Sequence, residues 1–224
     1  MNLIKSVDFF DPTKISESIH IIGCGAIGST LAEMLVRMGC TNIHLYDFDI
    51  VTAHNLANQM FRDSDIGTAK TTALENILKE INPEVAITTH PAGWTTETKL
   101  SGYVFLAVDD ITLRKTIATE NIVNMAIKAM FDFRMGLSTA EHFAVNWEDM
   151  QQKQNFIKGM DFTSDEAAEN APRNACGTTL NIISTVRTIV SIGITNFIKL
   201  YKSYGQDFNK IIMIDSVKPF ITII

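Results

Sequence analysis

At 224 residues, with 46% apolar and 20% charged side chains, the chain is long enough to bury a full core and too apolar to remain disordered. Its net charge of −6, with no cluster of Lys and Arg, excludes a bare nucleic-acid binder, because phosphate recognition leans on grouped cations. No run of ~18 uncharged apolar residues exists, so no membrane-spanning segment is expected.

The opening MNLIKSVDFFDP lacks the apolar centre and small-residue cleavage pattern of a secretion signal. Ser18–Gly23, rich in Ile, reads as a buried parallel strand. A helix follows over Ala26–Met38, with Ile27, Leu31, Leu35 and Met38 at helical spacing and Gly39 as its stop. Asn42–Asp47 is a second strand, with Ile43 and Leu45 on one face and His44 and Tyr46 on the other. Asp49–Ile66 has no clear period. Ala69–Ile81 is helical and ends at Asn82-Pro83. Val85–Thr89 and Tyr103–Val108 are strands, Asp110–Met125 a helix, and Ile127–Phe133 a strand again. Such alternation requires crossover connections and a parallel sheet covered on both faces.

The pattern then changes. Phe133–Trp147 reads as two strands joined through Gly136–Thr139, an antiparallel addition. Gly159–Asn174 is polar, acidic and aperiodic, a loop long enough to suggest function. Thr178–Tyr204 reads as one long amphipathic helix, and the tail from Lys210 as a closing hairpin with Pro219 at an edge or turn. No internal repeat is present. Cys24, Cys40 and Cys176 form no CxxC pair and no Cys/His cluster, so no zinc is expected, and so sparse a count fits a reducing cytoplasm. The expected architecture is a single α/β unit over 1–224. Its core spans about 18–200 and its C-terminal hairpin 208–224; the sheet is Rossmann-like, doubly wound and mostly parallel, with an antiparallel extension.

The stretch HIIGCGAIG carries the first chemical signal. Gly23, Gly25 and Gly28 sit between a strand and a helix, where backbone can approach a phosphate and helix N–H groups can face it. Such sites place an acid about twenty positions on, ending the next strand, to bind ribose hydroxyls; Asp47 stands there. These features alone fit a nicotinamide-dependent oxidoreductase, or glycines needed only for packing a helix on a strand.

The next stretch, DFDIVTAHNLANQMFRDSDIGTAK, holds more acids and amides than a dinucleotide enzyme needs. This first block resembles the ThiF/MoeB and ubiquitin-activating enzymes, with D-x-D-x-V at Asp47, Asp49 and Val51, N-L-x-x-Q at Asn55, Leu56 and Gln59, and I-G-x-x-K at Ile66, Gly67 and Lys70. VDDITLR, with Asp109, Asp110 and Arg114, resembles the family's D-[ND]-x-x-x-R. FRMG at Phe133–Gly136 is similar to the R-M-G of short phage- and plasmid-type members. Three blocks in order are far more specific than the glycines alone.

The resemblance implies adenylation, with ATP and Mg²⁺, of the C-terminal carboxylate of a small ubiquitin-like or sulfur-carrier protein ending in glycine. It also implies a homodimer, for which the apolar face of the long helix is the sequence feature that suits pairing; charge, hydropathy and cysteine count add that the chain is cytoplasmic and binds neither nucleic acid nor membrane. Gly23, Gly25, Ala26 and Gly28 then line the nucleotide, Asp47 takes the ribose, and Asp49, Asn55, Asn58, Gln59, Val108, Asp110 and Arg114 complete the pocket. Lys70 meets the phosphates, Asp109 holds Mg²⁺, and Cys176, before a helix start, is a candidate acceptor of the activated carboxyl. Blander readings stand beside these: Lys70 as a solvated helix residue, Asp49 as a brace for its loop, Asp110 as a plain N-cap, Arg114 as the partner of a nearby carboxylate, Cys176 as a small residue at a helix start. Asn58 occupies the place where the family carries an arginine, and no arginine precedes Arg37. Arg62 or Arg134 could compensate, Arg134 better placed because it follows a strand on the site side. That gap keeps open a purely nucleotide-binding descendant.

Overall fold

The structure, a computed structural model, describes residues 1–162, 182–218 and 220–224. β1 (Ile19–Ile22) is buried at all four positions, as an Ile-rich run covered on both faces must be. α1 (Ala26–Arg37) turns Leu31, Leu35 and Val36 inward, and β2 (Asn42–Tyr46) buries Ile43 and Leu45 on the same side. α2 (Lys70–Ile81), β3 (Ala86–His90), β4 (Gly102–Leu106), α3 (Ile111–Glu120) and β5 (Ile127–Met135) continue the alternation. β6 (Thr139–Asn146), α4 (Met150–Lys158), α5 (Ile183–Lys202), β7 (Ile211–Asp215) and β8 (Phe220–Ile223) complete it.

The sheet runs β3-β2-β1-β4-β5-β6-β7-β8. Its first five strands pair in parallel, and β6, β7 and β8 extend it antiparallel, as the sequence implies. One core cluster packs α1, α2 and α5 on one face; a second packs α3 and α4 on the other. The apolar face of α5, with Val186, Ile189, Val190, Ile194 and Phe197, is consumed inside the chain. The reason the sequence offers for a second subunit is therefore removed.

Two elements differ from expectation. α3 stops at Glu120 rather than near Met125, because the Asn121 side chain donates to the Ile117 carbonyl at 2.9 Å while its own carbonyl accepts from the Trp147 indole at 2.9 Å. Val123 and Met125, which prolong the apolar period in the sequence, are exposed. α4 is unanticipated, since its sequence MQQKQNFIK buries only Lys153 and Phe156. Its signal is the cap: Asp149 accepts from the Gln151 and Gln152 amides, and Gly159 closes it. The helix start expected at Thr178, Pro219, and residues 163–174 of the acidic loop lie outside the described residues.

One face of β1, β2 and β3 carries a stack of rings. His20 lies on His44 at 4.5 Å between centroids, His44 on His90 at 5.5 Å, and Tyr46 on His90 at 4.1 Å. His142 is buried against Phe131 and Phe133 and meets Asn196 at 3.1 Å. Burial, and for His20 the neighbouring imidazoles, push His20 and His142 down to about 3, and His44 and His90 shift the same way. The unfolded chain takes up these protons near pH 6.5, so it binds more protons than the folded chain between that value and about 3, and stability is lost as pH falls through the window. At pH 5 the loss is about 2 kcal/mol for each of His20 and His142. Thermal melts are expected to show a clearly lower Tm at pH 5 than at pH 7.5; equal values would mean that these imidazoles are already protonated in the folded protein.

Candidate nucleotide site

The parallel strands end level with one another. Tyr46, Ile22, Leu106 and Asp132 form one row across β2, β1, β4 and β5. The chain leaves that row as the glycine turn, as Asp47, and as the loop Ala107–Asp110. Ligands in open α/β sheets sit at this carboxyl edge.

The three glycines do different work. Gly23 has φ +97, and a Cβ there would lie 2.7 Å from the Ala107 carbonyl carbon. At Gly28 a Cβ would lie 1.8 Å from the Gly23 oxygen. Both are demanded by the packing of helix on sheet. Gly25 has φ −76, and a Cβ there meets nothing within 4 Å. It faces open space immediately before Ala26, the first residue of α1. That is a cradle a side chain would fill, placed where helix N–H groups attract an anion.

Asp47 ties this turn to the next loop. Its Oδ2 accepts the Cys24 amide at 2.7 Å and its Oδ1 the Asp49 amide at 2.9 Å. Asp49 Oδ2 in turn accepts from Lys70 Nζ at 2.7 Å. Lys70 is therefore no solvated helix residue: its side chain is only 9% exposed, against 52% for that of Asp49. Asp49 braces this lysine as well as its loop. Burial pushes the Cys24 thiol well above its ordinary value, Asp47 adding to the shift and Lys70 opposing it; Cys40 is raised to about 12 by burial. Neither is a nucleophile at neutral pH. Cys176 lies outside the described residues.

The aperiodic stretch becomes two short 3-10 turns, Ala53–Ala57 and Asp63–Asp65. Asn55 is buried, its Oδ1 accepting from the Thr52 amide and hydroxyl, both at 2.9 Å. Asn58 caps the first turn, and the Met60 amide donates to the Ser29 hydroxyl of α1 at 3.2 Å, which lays the loop against the start of that helix. Among the described residues the Gln59 side-chain oxygen is buried without a partner, as are the Thr71 hydroxyl, the Trp94 indole nitrogen and His142 Nδ1. Buried polar atoms are ordinarily satisfied, so an orphan in this loop fits a place for a ligand.

On the other side of the turn, Asp109 is exposed and Asp110 caps α3, accepting the Thr112 amide at 2.8 Å. Asp110 thus serves as the N-cap of α3. Arg114 is buried; it donates to Asp132 Oδ1 and to the Val108 carbonyl. Burial, then the adjacent Arg134 guanidinium, pull Arg114 below its ordinary value, while Asp109 and Asp110 act oppositely. Arg134 donates through Nε to Asp132 Oδ2 at 2.7 Å and lies over the Phe143 ring at 4.3 Å. Asp132, wholly buried, was missed in the sequence, though a carboxylate inside an otherwise apolar strand demands a cation. Arg62 is removed as a compensating cation. It forks onto Glu80 at 2.9 and 2.6 Å, ten residues along α2 from Lys70 and so about 15 Å away.

The arrangement is that of a doubly wound, Rossmann-like chain with Asp47, Lys70 and Asp109 following the carboxyl edge of its parallel strands. The ThiF family profile matches residues 11–218, and the chain belongs to the ThiF family. It is 28% identical over 162 residues to ubiquitin-like modifier-activating enzyme 5 of Drosophila persimilis, covering 71% of this chain and 40% of that protein. To the enzyme of the same name from Arabidopsis thaliana it is 40% identical over 79 residues, covering 35% of this chain and 18% of the relative. The chain thus spans about two fifths or less of these relatives. Among solved structures it is similar to E. coli MccB bound to MccA-N7isoASN (TM-score 0.71, 15% identity, 93% of this chain and 64% of that one). It is also similar to MccB with ATP (TM-score 0.69, 17% identity, 93% and 63%) and to PaaA (TM-score 0.69, 16% identity, 92% and 63%). At such identities the likeness is one of fold.

Proposed function

We propose that this chain uses ATP to adenylate the C-terminal carboxylate of a small ubiquitin-like or sulfur-carrier protein. The observation that carries the reading is the unbroken series of contacts from the Cys24 amide through Asp47 and Asp49 to Lys70, which joins glycine turn, acid and buried ammonium at one edge. Membership of the ThiF family supports it.

In the reaction a carboxylate oxygen attacks the α-phosphorus of ATP. The bond from that phosphorus to the bridging oxygen breaks, and its electron pair leaves with pyrophosphate. Both reactants are anionic, so the chain must offset charge and fix the line of attack. Asp47, half-exposed beyond its two amide donors, takes the ribose hydroxyls. The amides after Gly25 and the Lys70 ammonium receive phosphate oxygens, with Asn55, Asn58 and Gln59 alongside. Asp109 would hold Mg²⁺, a hard cation that offsets phosphate charge when bound. Arg134 supplies the guanidinium between phosphate and incoming carboxylate, a geometry its planar fork suits.

Calorimetry with ATP, AMP and NAD is expected to show binding of both adenine mononucleotides and none of NAD; preferential NAD binding would restore the oxidoreductase reading. Labelled pyrophosphate is expected to exchange into ATP in the presence of a Gly-Gly-ended carrier encoded beside this gene. Arg134→Ala is expected to abolish the exchange while ATP binding stays detectable. ATP binding with no exchange would point instead to the nucleotide-binding descendant, a reading that Asn58 and the internally paired Arg114 favour.

A further inference from the structure

We infer that Asp132 is a positioning residue that presents Arg134 to the reacting carboxylate. The inference rests on the adenylation reading. It starts from a division of labour within one carboxyl group. Oδ1 accepts from Arg114 and Oδ2 from Arg134 Nε, so each oxygen holds a different guanidinium.

The two arginines are unequal. Arg114 is buried, and its second engaged nitrogen donates to the Val108 carbonyl, one residue before Asp109. Its charge is consumed in bracing α3 against β5. Arg134 is held differently. Its Nε is engaged by Asp132 and its planar face rests on Phe143, which together fix the side-chain rotamer. Its side chain is 17% exposed, and among the described residues its Nη1 meets the Gly159 carbonyl at 3.5 Å, a weak partner. Phe162 stands 5.7 Å from the guanidinium, and Glu141 is the other acidic group acting on it. A cation held through Nε, with a terminal nitrogen so weakly engaged among the described residues, is preorganised for an anion. Asp132 itself, with no exposed surface, cannot touch a substrate. It acts only through the two cations.

The strand register explains why Asp132 can do this. It is partnered with Leu106, the last residue of β4, and Arg134 lies two residues further on the same face. The carboxylate is thus anchored at the end of the parallel core while the guanidinium reaches past it.

The test is binding of two probes by the full chain: AMP, and an adenosine 5′-sulfamate acylated with glycylglycine, which carries an acyl group where the adenylate would. Arg134→Ala and Asp132→Glu, the latter keeping the charge but displacing it by one methylene, are each expected to weaken the acyl sulfamate about ten- to a hundredfold, with AMP changed less than about threefold. The double variant is expected to bind no more than about twofold worse than Arg134→Ala, because the two residues act as one unit. Phe143→Leu, which removes the ring under the guanidinium and leaves the Asp132–Arg114 pair intact, is the second route should Asp132→Glu fail to fold; a selective loss of the acyl sulfamate is expected there too. Multiplicative losses in the double variant, or equal losses for both probes, overturn the positioning role. So does unchanged binding in the folded single variants. Wild-type protein that prefers AMP to the acyl sulfamate overturns the adenylation reading itself.

Discussion

Gly25→Val is expected to leave the protein folded and to weaken ATP binding at least about a hundredfold, whereas Gly28→Ala is expected to cost at least ~3 kcal/mol of stability. The two glycines stand three residues apart in one turn and look alike in sequence. Their surroundings are opposite. At Gly28 an added Cβ meets backbone, the Gly23 oxygen at 1.8 Å, and backbone cannot give way without lifting α1 off β1. At Gly25 the same atom meets nothing within 4 Å, and φ is negative. A valine there fills the space in front of the first α1 amides, so at least two charge-assisted bonds to phosphate are lost together. Melting temperatures separate the pair, and calorimetry with ATP completes the test. If Gly25→Val binds ATP like the wild type, the open space before α1 is not where the phosphates lie.

The fold was legible in the sequence wherever burial imposed a period. β1, α1, β2 and α2 lie within a residue or two of the expected spans, because each buries a face and so must repeat Ile or Leu at fixed spacing. α4 escaped because it packs through one phenylalanine and the stem of Lys153, whose ammonium donates to the Ile122 carbonyl at 2.8 Å. No apolar stripe is needed for that. The overrun of α3 has the same root: asparagine side chains, not a loss of hydrophobicity, end the helix. Within the candidate site, Asp47, Asp49 and Lys70 stood out in the sequence through motif spacing, while the ion pair between the last two did not. The pairing of Asp132 with Arg114 and Arg134 joins β5 to α3 across a gap that spacing along the chain does not encode. Only the oddity of an acid among Met130, Phe131 and Phe133 marked it.

Lys70→Met is expected to weaken ATP binding about ten- to a hundredfold, with a much smaller effect on AMP. Methionine conserves the volume of a side chain that is only 9% exposed, so packing is retained and the charge alone is removed. The ammonium has three donors, and Asp49 engages one at 2.7 Å. Phosphates bound at Lys70 would share that ammonium with Asp49, whose own negative charge would also oppose their approach. Asp49→Asn keeps a hydrogen-bond acceptor in place and discards the charge; it is therefore expected to bind ATP severalfold more tightly than the wild type. Lys70→Arg is expected not to restore the loss, since a planar fork does not reproduce a compact ammonium in a side chain this buried. The triphosphate dependence is the decisive readout. A buried lysine that served only to hold Asp49 and its loop would, on removal, weaken AMP and ATP alike, and equal losses for the two nucleotides would take Lys70 out of the phosphate site.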